Sequence, residues 1–109
     1  MTKGQAIIAE AKKKLVDFIT FEAPLLYKKF GWIYDPEEED CYIITTGDLE
    51  PIYIEDRCYE ETEINEVIVS PDGEVWVTNE DGGEWTSDEI SVEELANIAD
   101  AFERAYNRK

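Results

Sequence analysis

The sequence predicts an α+β domain, in which an antiparallel four- to five-stranded β-meander is flanked by an N-terminal helical segment and a C-terminal helix. Apolar residues recur at helical spacing near both ends of the chain and alternate with polar residues in its middle. Glycine-containing turns separate the alternating segments, as they do in hairpins. The length of 109 residues suits one domain over residues 1–109 with one core. The aromatic fraction of 12% argues against disorder despite the high charge.

The first residues of the chain predict a helical segment over residues 3–30 that is divided in two. Thr2 and Gln5 have the spacing of a capping box. The apolar residues that follow at helical spacing are Ile7, Ile8, Ala11, Leu15, Phe18 and Ile19. Pro24 disfavours a helical conformation at the residue before it. We therefore expect the first helix to end near Thr20 and a short second helix to continue towards Gly31.

Residues 35–40 predict an acidic loop, because a run of Asp, Pro and Glu cannot line a core. The β-meander follows over residues 41–87. Its strands are expected at 41–45, 52–55, 62–69, 74–78 and near Trp85. The third and fourth strands form the clearest hairpin, because Ser70-Pro71-Asp72-Gly73 is typical of a type I turn with a bulge. Asp81-Gly82-Gly83 predicts a second tight turn.

The predicted turns assign the strand residues to two faces of the sheet. One aliphatic face would hold the cross-strand pairs Val69 with Val75, Val67 with Val77, and Ile43 with Ile54. The other face would hold the pairs Ile68 with Trp76 and Ile44 with Tyr53, with Tyr42 nearby. This second face is too apolar to be left in water, so we expect a helix to cover it or a partner to contact it.

The C-terminal residues predict a helix over residues 92–107. Ser91 and Glu94 have the spacing of a capping box. The apolar residues that follow recur at helical spacing and would face the sheet: Val92, Leu95, Ile98, Ala99, Phe102 and Tyr106.

The net charge of −17 is concentrated in the predicted sheet. Residues 1–30 contain six Lys and three acids, which gives +3, whereas residues 31–90 contain 20 acids and only Arg57, which gives −19. Such a surface repels nucleic acids and anionic membranes and attracts basic proteins or cations. The plainer interpretation is that the excess acid keeps a small protein soluble. The lysines of the first helix would partly offset the acidic sheet and could favour head-to-tail self-association.

Several classes of function are made improbable by what the sequence lacks. It contains no histidine, which is the commonest general base and metal ligand. It shows no secretory leader and no apolar run of transmembrane length. Cys41 and Cys58 are interpreted as reduced, buried thiols of a cytoplasmic protein. We expect no catalytic set, no metal site and no cofactor, since the Asp and Gly clusters are explained by turn chemistry.

These observations favour a small acidic binding or regulatory protein, such as an inhibitor or a nucleic-acid mimic that engages a basic protein. The expected partner-binding carboxylates are those of the acidic loop: Asp35, Glu37, Glu38, Glu39 and Asp40. The expected apolar anchors are Tyr42, Tyr53 and Trp76. Two alternatives remain open. One is a small-ligand-binding or catalytic domain with its pocket on the aromatic sheet face, and the other is a structural subunit that buries this face in a homodimer.

Overall fold

The computed structural model describes residues 3–30, 41–47, 49–56, 58–70 and 73–107. Two helices enclose five antiparallel strands in chain order, which confirms the predicted α+β class. The elements are α1 (Lys3–Phe30), β1 (Tyr42–Thr45), β2 (Tyr53–Glu55), β3 (Glu61–Val69), β4 (Val75–Asn79), β5 (Glu84–Thr86) and α2 (Val92–Asn107). The predicted capping box at Thr2 and the acidic loop over residues 35–40 lie outside the described residues.

The sheet is organised around β3, whose two halves pair with different strands. The strand order is β1-β3-β4-β5, and β2 also pairs with β3. Residues 66–69 pair with β1, whereas residues 61–63 pair with β2. The predicted hairpin between β1 and β2, with Ile43 opposite Ile54, is therefore wrong. The intervening residues leave the ladder because Leu49 and Ile52 are buried in the core, and pairing with β3 resumes at β2.

The hairpin between β3 and β4 has the predicted register. Val69 pairs with Val75 and Val67 with Val77, and all four side chains are buried. The Ser70 N–H donates to the Glu74 carbonyl at 3.0 Å, and Gly73 has a φ of 85°, which glycine adopts without steric cost. The register shifts between Ile64 and Glu66. This bulge at Asn65 lets both halves of β3 direct apolar side chains to the core.

The inner face of the sheet carries the core and faces the helices. Ile44 pairs with Val67, which places Ile44 on this face together with Trp85 of β5. The predicted outward position of Ile44 and Tyr42 is therefore wrong, because β1 takes its register from β3 and not from β2. Tyr42 packs against the core with its ring centroid 5.5 Å from that of Tyr27 on α1.

α1 is one continuous helix of 28 residues that contains Pro24. The predicted break near Thr20 is wrong. Ile19, Ala23 and Leu26, on both sides of the proline, are buried in the core. Tertiary packing thus outweighs the local preference of proline, as it commonly does for intrinsic propensities.

α2 begins at Val92 and ends at Asn107, as predicted. The predicted capping box is confirmed, because the Ser91 N–H donates to Glu94 Oε1 at 3.1 Å and the Glu94 N–H donates to Ser91 Oγ at 3.1 Å. The buried side of α2 joins the same core as the inner face of the sheet. Neither of the helices described has an apolar stretch of the length that a bilayer requires.

Candidate partner-binding surface

The side of the sheet opposite the helices forms a surface that we call the outer face. It consists of the strand side chains that alternate with the buried ones: Ile43, Thr45, Tyr53, Glu55, Glu61, Glu63, Glu66, Ile68, Trp76, Thr78, Glu84 and Thr86. All of them are exposed or half-buried. Because both described helices join the core on the inner face, the outer face is the part of the sheet that a second molecule can reach.

One end of the outer face is apolar. Ile43, Ile68 and Trp76 are consecutive cross-strand neighbours on β1, β3 and β4, and Thr86 of β5 completes the row. Each of these side chains is half-buried. A tryptophan in such a row offers a large, rigid contact area at low cost in side-chain entropy, which is typical of an interface anchor.

The next row along the strands is polar and acidic. It runs from Thr45 through Glu66 and Thr78 to Glu84. The Thr78 hydroxyl lies 2.8 Å from Asn65 Oδ1 and 3.1 Å from Glu66 Oε1, so its hydrogen bonds orient the Glu66 carboxylate. This row therefore places fixed negative charge directly beside the apolar row.

The far end of the outer face concentrates carboxylates. Glu55 pairs directly with Glu61, and Tyr53 pairs with Glu63. Like charges directly opposite each other in a ladder are destabilising. The five strands together contain five Glu residues and no Lys or Arg. The outer face is thus uniformly negative along the described strands.

The turn between β2 and β3 presents an exposed tyrosine in an uncommon backbone conformation. Asp56 Oδ1 accepts hydrogen bonds from the N–H groups of Cys58 and Glu60, at 2.8 and 3.0 Å. Tyr59 has a φ of 62° and is 85% exposed. A bulky residue rarely adopts positive φ, so this conformation is held by the hydrogen bonds of the turn.

Tyr59 and Tyr53 line one open cleft at the acidic end of the sheet. The other lining residues are Ile54, Glu55, Glu61 and Glu94. Tyr53 is 48% exposed. Aromatic faces and carboxylates both attract cations, so the cleft is suited to a lysine or arginine side chain.

The structure separates the residues that the sequence predicted for binding. Trp76 lies in the apolar row and Tyr53 lies at the acidic end, at opposite ends of β3. Tyr42 lies on the inner face against Tyr27. Tyr59 was missed, because a tyrosine inside a polar turn gives no periodic signal. Cys58 is exposed in the same turn, contrary to prediction, whereas Cys41 is buried as expected.

The described residues form no group of three or more His, Cys, Asp or Glu that could hold a metal ion. The carboxyl whose pKa is clearly raised, Glu22, lies on α1 near Glu103 of α2, away from the outer face. Comparisons with protein-family models, with curated proteins and with solved structures found no match for this chain. The functional conclusion therefore depends on the chemistry of the outer face itself.

Proposed function

We propose that this chain is a binding protein whose outer face docks a basic protein partner. The observation that carries the proposal is the juxtaposition of an apolar row that contains Trp76 with rows of carboxylates that no Lys or Arg of the strands neutralises. The regulatory forms of such binding include inhibition of an enzyme with a basic surface. They also include occupation of a nucleic-acid-binding groove by carboxylates in place of phosphates.

The two ends of the outer face have different parts in this binding. The carboxylates of β2 and β3 attract the partner over long range and accelerate its association. Trp76 and its neighbours Ile43 and Ile68 exclude water at the contact and slow dissociation. The acidic residues Asp35 to Asp40 would add to the same negative field.

The cleft between Tyr53 and Tyr59 gives the proposal a specific contact. A lysine or arginine of the partner would insert between the tyrosine rings and the Glu55 and Glu61 carboxylates. This contact would relieve the repulsion between the two paired glutamates. It explains why an exposed tyrosine occupies a position where glycine or asparagine would be less strained.

The test begins with capture of the partner from the native host at low salt and its release at high salt. Association and dissociation of the purified partner are then measured with variants of the full chain. Glu61→Lys with Glu63→Lys should slow association on the order of 10-fold at low salt, and the effect should fade as salt is added. Glu93→Lys with Asp100→Lys, the same change of charge on exposed positions of α2, is the matched control. The proposal would be contradicted if both pairs of substitutions slowed association equally.

Single substitutions separate the apolar and cationic contacts. Trp76→Ala should accelerate dissociation with little change in the association rate. Tyr59→Asn should also accelerate dissociation while the melting temperature stays the same or rises, because asparagine tolerates positive φ. If the partner dissociates from both variants as slowly as from the wild type, the outer face is not the docking surface.

A further inference from the structure

A second pocket of the acidic surface lies beside the bulge of β3, where β4 ends. It has a volume of about 250 Å³, and we call it the bulge pocket. Its polar lining residues are Thr46, Thr62, Glu63, Asn65, Glu80 and Asp81. One water molecule occupies about 30 Å³ in the liquid, so the bulge pocket has room for the end of a side chain. Bulges of this kind often lie next to functional sites.

Hydrogen bonds hold two of the acceptors in the bulge pocket in place. Asn79 Nδ2 donates to Thr62 Oγ1 at 3.0 Å, and the Thr78 hydroxyl lies 2.8 Å from Asn65 Oδ1. Each of these acceptor oxygens has a second lone pair that can accept a hydrogen bond from a ligand. An acceptor that is already fixed loses little entropy when it binds a donor. The bulge pocket is therefore preorganised for a ligand that donates hydrogen bonds.

Carboxylates reach the bulge pocket from two parts of the sheet. Glu63 belongs to β3, whereas Glu80 and Asp81 belong to the turn between β4 and β5. No Lys or Arg is among the described residues that line the pocket. The described residues form no group of acids that could hold a metal ion, so a larger cation, whose donors are spread over several atoms, suits this arrangement. Charge complementarity thus selects an organic cation.

We propose that the bulge pocket receives the guanidinium group of an arginine of the basic partner, an inference that rests on the proposed docking at the outer face. A guanidinium has five N–H donors around a planar group, so it reaches acceptors on β3 and on the turn at the same time, whereas an ammonium has three donors on one atom. Glu61 of the tyrosine cleft and Glu63 of the bulge pocket alternate along β3, roughly 7 Å apart. The partner therefore presents two cationic side chains close together, an arginine for the bulge pocket and a second cation for the cleft.

The first test uses two probes of equal charge, N-acetylarginine amide and N-acetyllysine amide, which are titrated into the full chain labelled with ¹⁵N. The arginine probe should shift the amide resonances of Asn65 and Gly82 in a saturable manner. The lysine probe should bind there on the order of 10-fold more weakly, because it forms fewer charge-assisted hydrogen bonds. Equal affinity for the two probes would overturn the inference, as would shifts spread evenly over all the acidic strands.

Neutral variants test the carboxylates. Glu63→Gln with Glu80→Gln should abolish saturable binding of the arginine probe. Glu93→Gln with Asp100→Asn, which removes the same charge from exposed positions of α2, should leave the binding intact. Circular dichroism of each variant checks that the fold is retained. Equal loss of binding in the two double variants would overturn the inference, because the probe would then respond only to net charge.

The captured partner separates this inference from the proposed function. Glu63→Gln with Glu80→Gln should accelerate dissociation of the partner on the order of 10-fold, since charge-assisted hydrogen bonds are lost. If Trp76→Ala accelerates dissociation and this double variant does not, no arginine occupies the bulge pocket, whereas docking at the outer face stands. If neither variant changes dissociation, both the inference and the proposed function are wrong.

Discussion

Among the described acidic residues, Glu22 is the one whose pKa the folded structure shifts most clearly. Burial, together with the neighbouring Glu103 carboxylate, raises the pKa of Glu22 above its ordinary value. Its Oε2 atom is buried and has no hydrogen-bond partner. Since the side chain is half-buried and not fully enclosed, solvent screens part of this effect. Ionisation of Glu22 is therefore less favourable in the folded protein than in the unfolded chain.

The stability of the folded protein should therefore depend on pH through Glu22. Between the ordinary and the raised pKa of Glu22, the folded state binds more protons than the unfolded state, so stability falls as the pH rises through this window. Glu22→Gln should therefore raise the melting temperature at neutral pH, and the gain should vanish in acid below the ordinary pKa. Glu103→Gln should give a smaller gain, because it removes the lesser cause. A Glu22→Gln variant that melts lower than the wild type at neutral pH would contradict this account.

At the residue scale, sequence patterns predicted burial better than orientation. The four valines of the β3–β4 hairpin are buried as expected. Their alternation along the strands and the turn between the strands both indicate the same register. The predicted outward position of Tyr42 and Ile44 is wrong, because period-two alternation shows which residues share a face but not which face it is. The positive φ of Tyr59 could not be predicted, since it results from the hydrogen bonds of Asp56 in the folded turn.

At the scale of elements, Glu94 joins α2 to the sheet. Its Oε1 accepts the Ser91 N–H, and its Oε2 accepts the Glu55 N–H at the end of β2. Ser91→Ala should cost about 1 kcal/mol, which is the usual value for the loss of an N-cap. Glu94→Ala should cost more, on the order of 2 kcal/mol, because it leaves backbone donors in both elements without their acceptor.

Urea unfolding of these variants measures the two losses. Glu93→Ala is the control, since Glu93 is an exposed acid in the same helical turn. It should change the free energy of unfolding only slightly. If Glu94→Ala costs no more than Ser91→Ala, the link between α2 and β2 contributes nothing to stability.

The elements that sequence predicted well are those specified by local signals. α2 has a capping box and a clear apolar stripe, and the β3–β4 turn has a proline and a glycine at the positions that its type requires. The failures concern non-local choices. Pro24 stays inside α1 because residues on both sides of it are buried against the rest of the fold. β1 and β2 pair with β3 and not with each other, since that arrangement buries Leu49 and Ile52.

At the scale of the whole molecule, repulsion among the acidic side chains destabilises the folded state, and added salt should weaken this repulsion. The net charge is −17, and the described strands contain no base. Added salt should therefore raise the melting temperature by screening, and mild acidification towards the isoelectric point near 4.1 should first do the same. Arg104 and Glu50, 2.8 Å apart, form an exposed ion pair, which contributes too little to reverse this trend. A melting temperature that does not change with salt would mean that the acids are spaced widely enough not to repel.

The arrangement of the strands also determines how the backbone amides exchange their hydrogens with solvent. Among the described strands, β3 pairs with β1, β2 and β4, whereas β5 pairs with β4 alone. β5 can open by breaking one ladder, so deuterium should enter it through local fluctuations. β3 cannot open without releasing three other strands at once. Its central amides should therefore exchange only when the whole molecule unfolds, and they report the global stability of the protein.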